Sequence, residues 1–184
     1  MLVMGDVTFE ELYNAFKEQA IALEAGGADA LVIETMSDID EAKAAIKACC
    51  ENTRCEVICT MTFEKSGVDE FYTMMGVTPE VMAVEMVEAG ATIIGANCGN
   101  GMENMIGITK AIRNAAPEIP ILIHANAGLP VYQNGETCFL ESPEITASFV
   151  KELIAAGANI IGGCCGTTPE HIRKIAEAVL DQRQ

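Results

Sequence analysis

One pattern occurs three times in this chain. Gly27-Ala28-Asp29-Ala30-Leu31-Val32-Ile33-Glu34 is matched by Gly90-Ala91-Thr92-Ile93-Ile94-Gly95-Ala96-Asn97-Cys98, and again by Gly157-Ala158-Asn159-Ile160-Ile161-Gly162-Gly163-Cys164-Cys165. Each copy sets a helix-stopping glycine, a short apolar run, and then a polar or sulfur-bearing residue. Apolar runs without alternation suit parallel strands covered on both faces, and parallel strands need a crossover between them. Similar runs at 57–61 and 121–125 join those at 30–33, 92–95 and 159–162, making five expected strands. Their starts lie roughly 30 residues apart, the length of one βα unit in an eight-unit barrel of about 250 residues. The pattern predicts an α/β chain of the (β/α)8 TIM-barrel type, incomplete, covering about the last five strands and six helices.

The helix signals fit between those runs. Thr8 and Glu11 form a capping-box pair ahead of Leu12, Phe16, Ala20 and Leu23, and Asp38 and Glu41 repeat it before Ala42, Ala45 and Ile46. Thr78-Pro79-Glu80, Ser142-Pro143-Glu144 and Thr168-Pro169-Glu170 each offer a capping hydroxyl, a proline at the first helical position and an acid facing the helix dipole. A sixth helix is expected from about Glu103 to Ala115, ended by Pro117. No linker divides the 184 residues, so residues 1–184 read as one partial barrel domain lacking its first three βα units.

Composition narrows the function. A formal net charge of −16 argues against nucleic acid and anionic membrane surfaces, which select basic faces. No apolar run is long enough to span a bilayer, and the first residues lack the features of a signal peptide. Eight cysteines without an export signal point to a reducing, cytoplasmic setting, where thiols serve as core residues, metal ligands or catalysts.

Counted from the first glycine of each repeat, Glu34, Asn97 and Cys164 share one level, and Cys98 and Cys165 share the next. All fall at C-terminal strand ends, where barrel enzymes keep their active sites. Cys98, Cys164 and Cys165 together suit zinc, and three protein ligands leave the fourth tetrahedral position open, as in catalytic sites. Three thiolates make such a site a poor activator of water and better suited to taking up a further thiol. Core packing and a redox pair between the adjacent cysteines are the competing readings. A phosphate cradle in the loop Gly162-Gly163 to Gly166-Thr167-Thr168-Pro169, at a helix N-terminus, is a third. Cys49, Cys50, Cys55, Cys59 and Cys138 read as small apolar core residues. His124 reads as a core histidine near the site, and His171 as a surface residue of the last helix.

Several motifs resemble the homocysteine S-methyltransferase family, the homocysteine-binding barrel of cobalamin-dependent methionine synthase and related methyltransferases. They are Leu31-Val32-Ile33-Glu34-Thr35, Thr62-Phe63-Glu64, Met74-Met75-Gly76-Val77-Thr78-Pro79-Glu80, Gly95-Ala96-Asn97-Cys98-Gly99, Asn126-Ala127-Gly128-Leu129-Pro130 and Ile160-Ile161-Gly162-Gly163-Cys164-Cys165-Gly166-Thr167. The resemblance implies a barrel holding Zn2+ on Cys98, Cys164 and Cys165, and methyl transfer to the thiol of homocysteine to give methionine. It also implies that Glu34 receives the amino group of homocysteine, and that Asn97 and Asn126 line the amino-acid pocket, although each asparagine equally suits a loop cap. Thr62 and Glu64 carry less. The methyl donor, methylcobalamin in the cobalamin-dependent branch, would come on a separate corrinoid-binding domain or protein.

The family's Asp-Gly-Gly or Asp-Gly-Ala-Met-Gly-Thr-like loop after its first strand is absent. Met1-Leu2-Val3-Met4-Gly5-Asp6 looks like the middle of a family loop, so Met1 is expected to be an internal methionine of a longer barrel. Two further expectations follow. Open sheet edges would drive self-association, and the chain alone would be an inactive zinc-binding fragment or one half of a two-chain assembly.

Overall fold

A computed structural model describes residues 5–67, 70–133 and 135–182. Residues 1–4, within the segment expected to be the middle of a family loop, lie outside the described residues. Helix α1 (Phe9–Ala25) opens on the Thr8–Glu11 capping box and leads to β1 (Ala30–Met36), α2 (Ile39–Asn52) and β2 (Glu56–Met61). A short hairpin of β3 (Glu64–Lys65) and β4 (Phe71–Tyr72) precedes α3 (Pro79–Ala89), β5 (Ile93–Asn97), α4 (Met102–Ala115) and β6 (Ile121–Ala125). A second hairpin, β7 (Pro130–Gln133) and β8 (Glu136–Phe139), precedes α5 (Pro143–Ser148), α6 (Val150–Ala156), β9 (Ile160–Gly163) and α7 (Pro169–Asp181).

Strands β1, β2, β5, β6 and β9 form one parallel sheet in that order. The order never reverses, so right-handed crossovers put every helix on the same face, as in a barrel wall rather than a doubly wound sheet. Consecutive helices pack side by side along that face.

The strand register separates two faces. Leu31, Val57, Cys59, Ile94, Ile121 and Ile123 face the helices and are buried against residues such as Ile46, Met82, Met86, Met105 and Ile112. Val32, Ile58, Leu122 and Ile160 lie on the other face, the interior of a barrel. There Leu122 on an inner strand is 3 % exposed, whereas Val32 and Ile160 on the two edge strands are 46 % and 38 % exposed. Among the described residues β1 and β9 each pair on one side only.

The two hairpins were not expected, because their strands of two and four residues are too short for alternation to register. The helix expected from Ser142-Pro143-Glu144 is interrupted at Phe149. The Ser148 hydroxyl donates to the Ile145 carbonyl at 2.6 Å, and the Phe149 N–H reaches back only three residues, to Thr146. That tightened turn separates α5 from α6. No helix among the described residues is long and apolar enough to cross a membrane.

Candidate metal centre

The C-terminal ends of β5 and β9 deliver the three thiols that the repeat singled out. The Cys98 and Cys165 sulfurs are 3.8 Å apart, and those of Cys164 and Cys165 are 3.9 Å apart. All three sulfurs lie within 4.8 Å of one another. Tetrahedral thiolates at about 2.3 Å from zinc sit about 3.8 Å from each other, so the set fits that ion. The separations are far beyond the about 2.05 Å of a disulfide. Burial and hydrogen bonding to Cys98, with the neighbouring thiols, push the Cys165 thiol up to about 11, and a cation bound beside it would favour its thiolate.

The backbone is shaped for this convergence. Cys98 has φ 60° and Thr35 has φ 61°, the two positive-φ residues other than glycine among those described. They occupy the same repeat level as Cys165. Such conformations cost about 1–3 kcal/mol and persist where the surroundings over-determine them. Here the surroundings are Asn97. Its Oδ1 accepts from the Thr35 N–H at 2.8 Å and the Thr60 hydroxyl at 2.7 Å, and its Nδ2 donates to Thr35 Oγ1 at 2.8 Å and toward Cys164 Sγ at 3.8 Å. Gly166, at φ 79°, closes the following turn, with Phe139 of β8 packed so near that a Cβ there would lie 2.3 Å from its ring.

Glu34, Asn97 and Asn126, expected to line a pocket, occupy different settings. Glu34 is exposed near the end of β1. Asn97 has no exposed surface, and its amide is engaged with protein partners beneath the site. Asn126 is 3 % exposed and takes the loop-capping option: its Oδ1 accepts from the Cys165 N–H at 3.0 Å. Thr62 donates its hydroxyl to the Asn97 carbonyl at 3.0 Å, and Glu64 is exposed on β3.

The imidazole of His124 lies on the interior face, paired in register with Asn97 and Gly162, and stands outside the sulfur cluster. Burial holds its pKa down, while the Glu34 carboxylate pulls the other way. His171, expected on the surface, is 5 % exposed. Its Nδ1 accepts from the Thr168 N–H at 3.1 Å, taking the acid's place in a capping box, and its Nε2 contacts the Glu141 carbonyl at 2.9 Å. The alternative of a phosphate cradle has less to draw on in this loop. The N–H groups of Cys164, Cys165, Thr167 and Thr168 are all spent on protein acceptors. Among the other cysteines, Cys49 and Cys59 are buried as expected, Cys55 and Cys138 are half-buried, and Cys50 is exposed.

Thr35 and Thr60 were missed as site residues. Thr35 was legible in the repeat, at the level of Cys98 and Cys165, whereas Thr60 carries no local signal.

Residues 2–179 match the family model described as homocysteine S-methyltransferase. Among curated proteins, methionine synthase of Mycobacterium tuberculosis is 34 % identical over 185 residues, and that of Mycobacterium leprae 32 % over 182. Each alignment covers 96 % of this chain and 15 % of the relative, so the chain spans a small part of the length of these proteins. Among solved structures, the apo form of the homocysteine methyltransferase MmuM from Escherichia coli superposes with a TM-score of 0.73 at 21 % identity. That match covers 94 % of this chain and 57 % of MmuM. The carboxyl transferase domain of Rhizobium etli pyruvate carboxylase reaches 0.55 at 19 % identity, covering 93 % of this chain and 32 % of that one. Both structural likenesses concern the fold.

Proposed function

The chain belongs to the homocysteine S-methyltransferase family, and from that premise we propose that Cys98, Cys164 and Cys165 hold a zinc ion at which homocysteine is methylated to methionine. The observation that carries this reading is the spacing of the sulfurs, 3.8 and 3.9 Å between neighbouring pairs at the mouth of a barrel wall. A zinc ion held there would supply Lewis acidity that keeps an incoming thiol as its thiolate at neutral pH.

The chain's own residues do the rest by placement. Glu34, exposed at the end of β1, receives the ammonium group of the amino acid and so orients its thiol toward the sulfur cluster. Asn97 ties the Glu34–Thr35 irregularity of β1 to Cys164, fixing the amino-acid end relative to the metal end. Asn126 holds the Cys165 backbone. In the reaction the thiol loses its proton, its sulfur forms a bond to the methyl carbon, and the bond from that carbon to the donor breaks. The donor comes from outside the residues described, and the resemblance to the cobalamin-dependent branch of the family implies a methylated corrinoid carried by another domain or protein.

A second reading is favoured by the exposed interior residues Val32 and Ile160. On that reading the chain binds zinc and is catalytically silent until further strands cover its edges.

Zinc content and proton release test the proposal together. The protein, purified under reducing conditions, should carry one zinc, and Cys164→Ser should lose it. Homocysteine binding, followed by calorimetry in buffers of different ionisation enthalpy, should release a proton near neutral pH. A full zinc equivalent in Cys164→Ser would remove the ligand assignment.

A further inference from the structure

Cys98 and the Cys164–Cys165 pair arrive on separate loops, and something must hold those loops in one register. Helix α4, which follows the Cys98 loop, has Gly101 as its N-cap and so no side-chain cap hydrogen bond of its own. The Glu141 carboxylate, brought from the segment between β8 and α5, lies over that helix start. A Cβ on Gly101 would come within 2.5 Å of its Oε1, and a Cβ on Gly128 within 2.9 Å of its Cγ. Its Oε2 is buried without a hydrogen-bond partner among the described residues.

The Glu141 backbone reaches the other two loops. Its N–H donates to the Ala127 carbonyl at 3.0 Å, and the Ala127 N–H donates to the Cys165 carbonyl at 2.9 Å. Its own carbonyl meets His171 Nε2 at 2.9 Å. Since His171 Nδ1 accepts from the Thr168 N–H, Nε2 is the nitrogen that carries the proton. The link from the middle loop back to Cys98 is equally short: Asn126 N–H donates to the Asn100 carbonyl at 2.9 Å, and Asn100 N–H to the Cys98 carbonyl at 2.7 Å. One residue therefore touches the loop of Cys98, the loop of Asn126 and the first turn of α7 after Cys165.

We infer that Glu141 is a positioning residue for the thiol set, its side chain seated between Gly101 and Gly128 so that Cys98 stays in register with Cys164 and Cys165. The role rests on the metal-centre reading above. The side chain acts by filling that seat and facing the N-terminus of α4, whose Met102 N–H opposes the upward push of burial on the carboxyl. A neutral amide of the same shape fills the same seat, so charge is dispensable and bulk with an acceptor oxygen is not.

The test is zinc affinity of the whole chain, measured by competition with a chromophoric chelator, together with the visible spectrum of the cobalt(II)-loaded form. Glu141→Ala should weaken zinc binding about tenfold, the usual effect of losing an outer support of a metal site, and should alter the cobalt spectrum. Glu141→Gln should retain both. Gly101→Ala, which keeps the glutamate and displaces it, should reproduce the loss, and it carries the test if Glu141→Ala does not fold. Unchanged affinity and spectrum in the folded variants would overturn the role of Glu141. Failure of the unsubstituted chain to take up zinc is a different result, and removes the metal-centre reading itself.

Discussion

Asn97 concentrates the argument at the scale of single residues, because one buried amide restrains a left-handed threonine and approaches a cysteine sulfur. Asn97→Ala leaves the Thr35 N–H and the buried Thr60 hydroxyl without their acceptor, and about 2–4 kcal/mol of stability should be lost in denaturant titration. Glu34→Gln should instead leave stability unchanged and weaken homocysteine binding by about 1–3 kcal/mol, read by calorimetry. Thiol chemistry separates the remaining cysteines. Burial, then the neighbouring Cys49, pushes the Cys59 thiol up to about 12 from an ordinary 9.0. A thiol raised by folding contributes stability fully below pH 9, and the contribution is lost as pH climbs toward 12. Iodoacetamide at pH 8 should therefore label exposed Cys50 and spare Cys59 in the native protein. The three cluster thiols were legible because a repeat brought them to neighbouring levels. The buried roles of Asn97 and His171 were not, since the partners that occupy them lie 62 and 30 residues away.

Elements were legible in proportion to their length and punctuation. Each proline-led helix begins at the expected proline, and the expected start at Glu103 is moved one residue earlier, to Met102. Strand β6 matches its apolar run, whereas β1 runs on past Ile33 through polar Glu34 and Thr35 to Met36, which pairs with Met61. The hairpin of β7 and β8 escaped notice, yet it shapes the candidate site by laying Phe139 against the turn after Cys165. Gly166→Ala tests that contact, because the added methyl meets the ring and the backbone is already left-handed. It should lower the unfolding midpoint, with a cost of about 1–3 kcal/mol, and loosen zinc. A variant with wild-type melting and zinc affinity would show that the hairpin does not brace the loop.

At the scale of the whole molecule, the order of strands and the one-sided helices were readable from spacing alone, because a βα repeat of fixed length and a fixed crossover hand admit few arrangements. What spacing does not convey is how the described edges are covered. Val32 and Ile160 expose apolar surface that a closed barrel buries, and among the described residues β1 and β9 each have one edge without a neighbouring strand. Sedimentation of the 184-residue chain should show concentration-dependent association through these edges. A heat-stable monomer at all concentrations would contradict that expectation. The central claim, that three cysteines of one chain hold a thiol-accepting zinc, is tested most directly by X-ray absorption at the zinc edge, without and with homocysteine. The account predicts three sulfur neighbours at about 2.3 Å in the first state and four in the second. Fewer than three sulfurs, or a shell that homocysteine leaves unchanged, would contradict it.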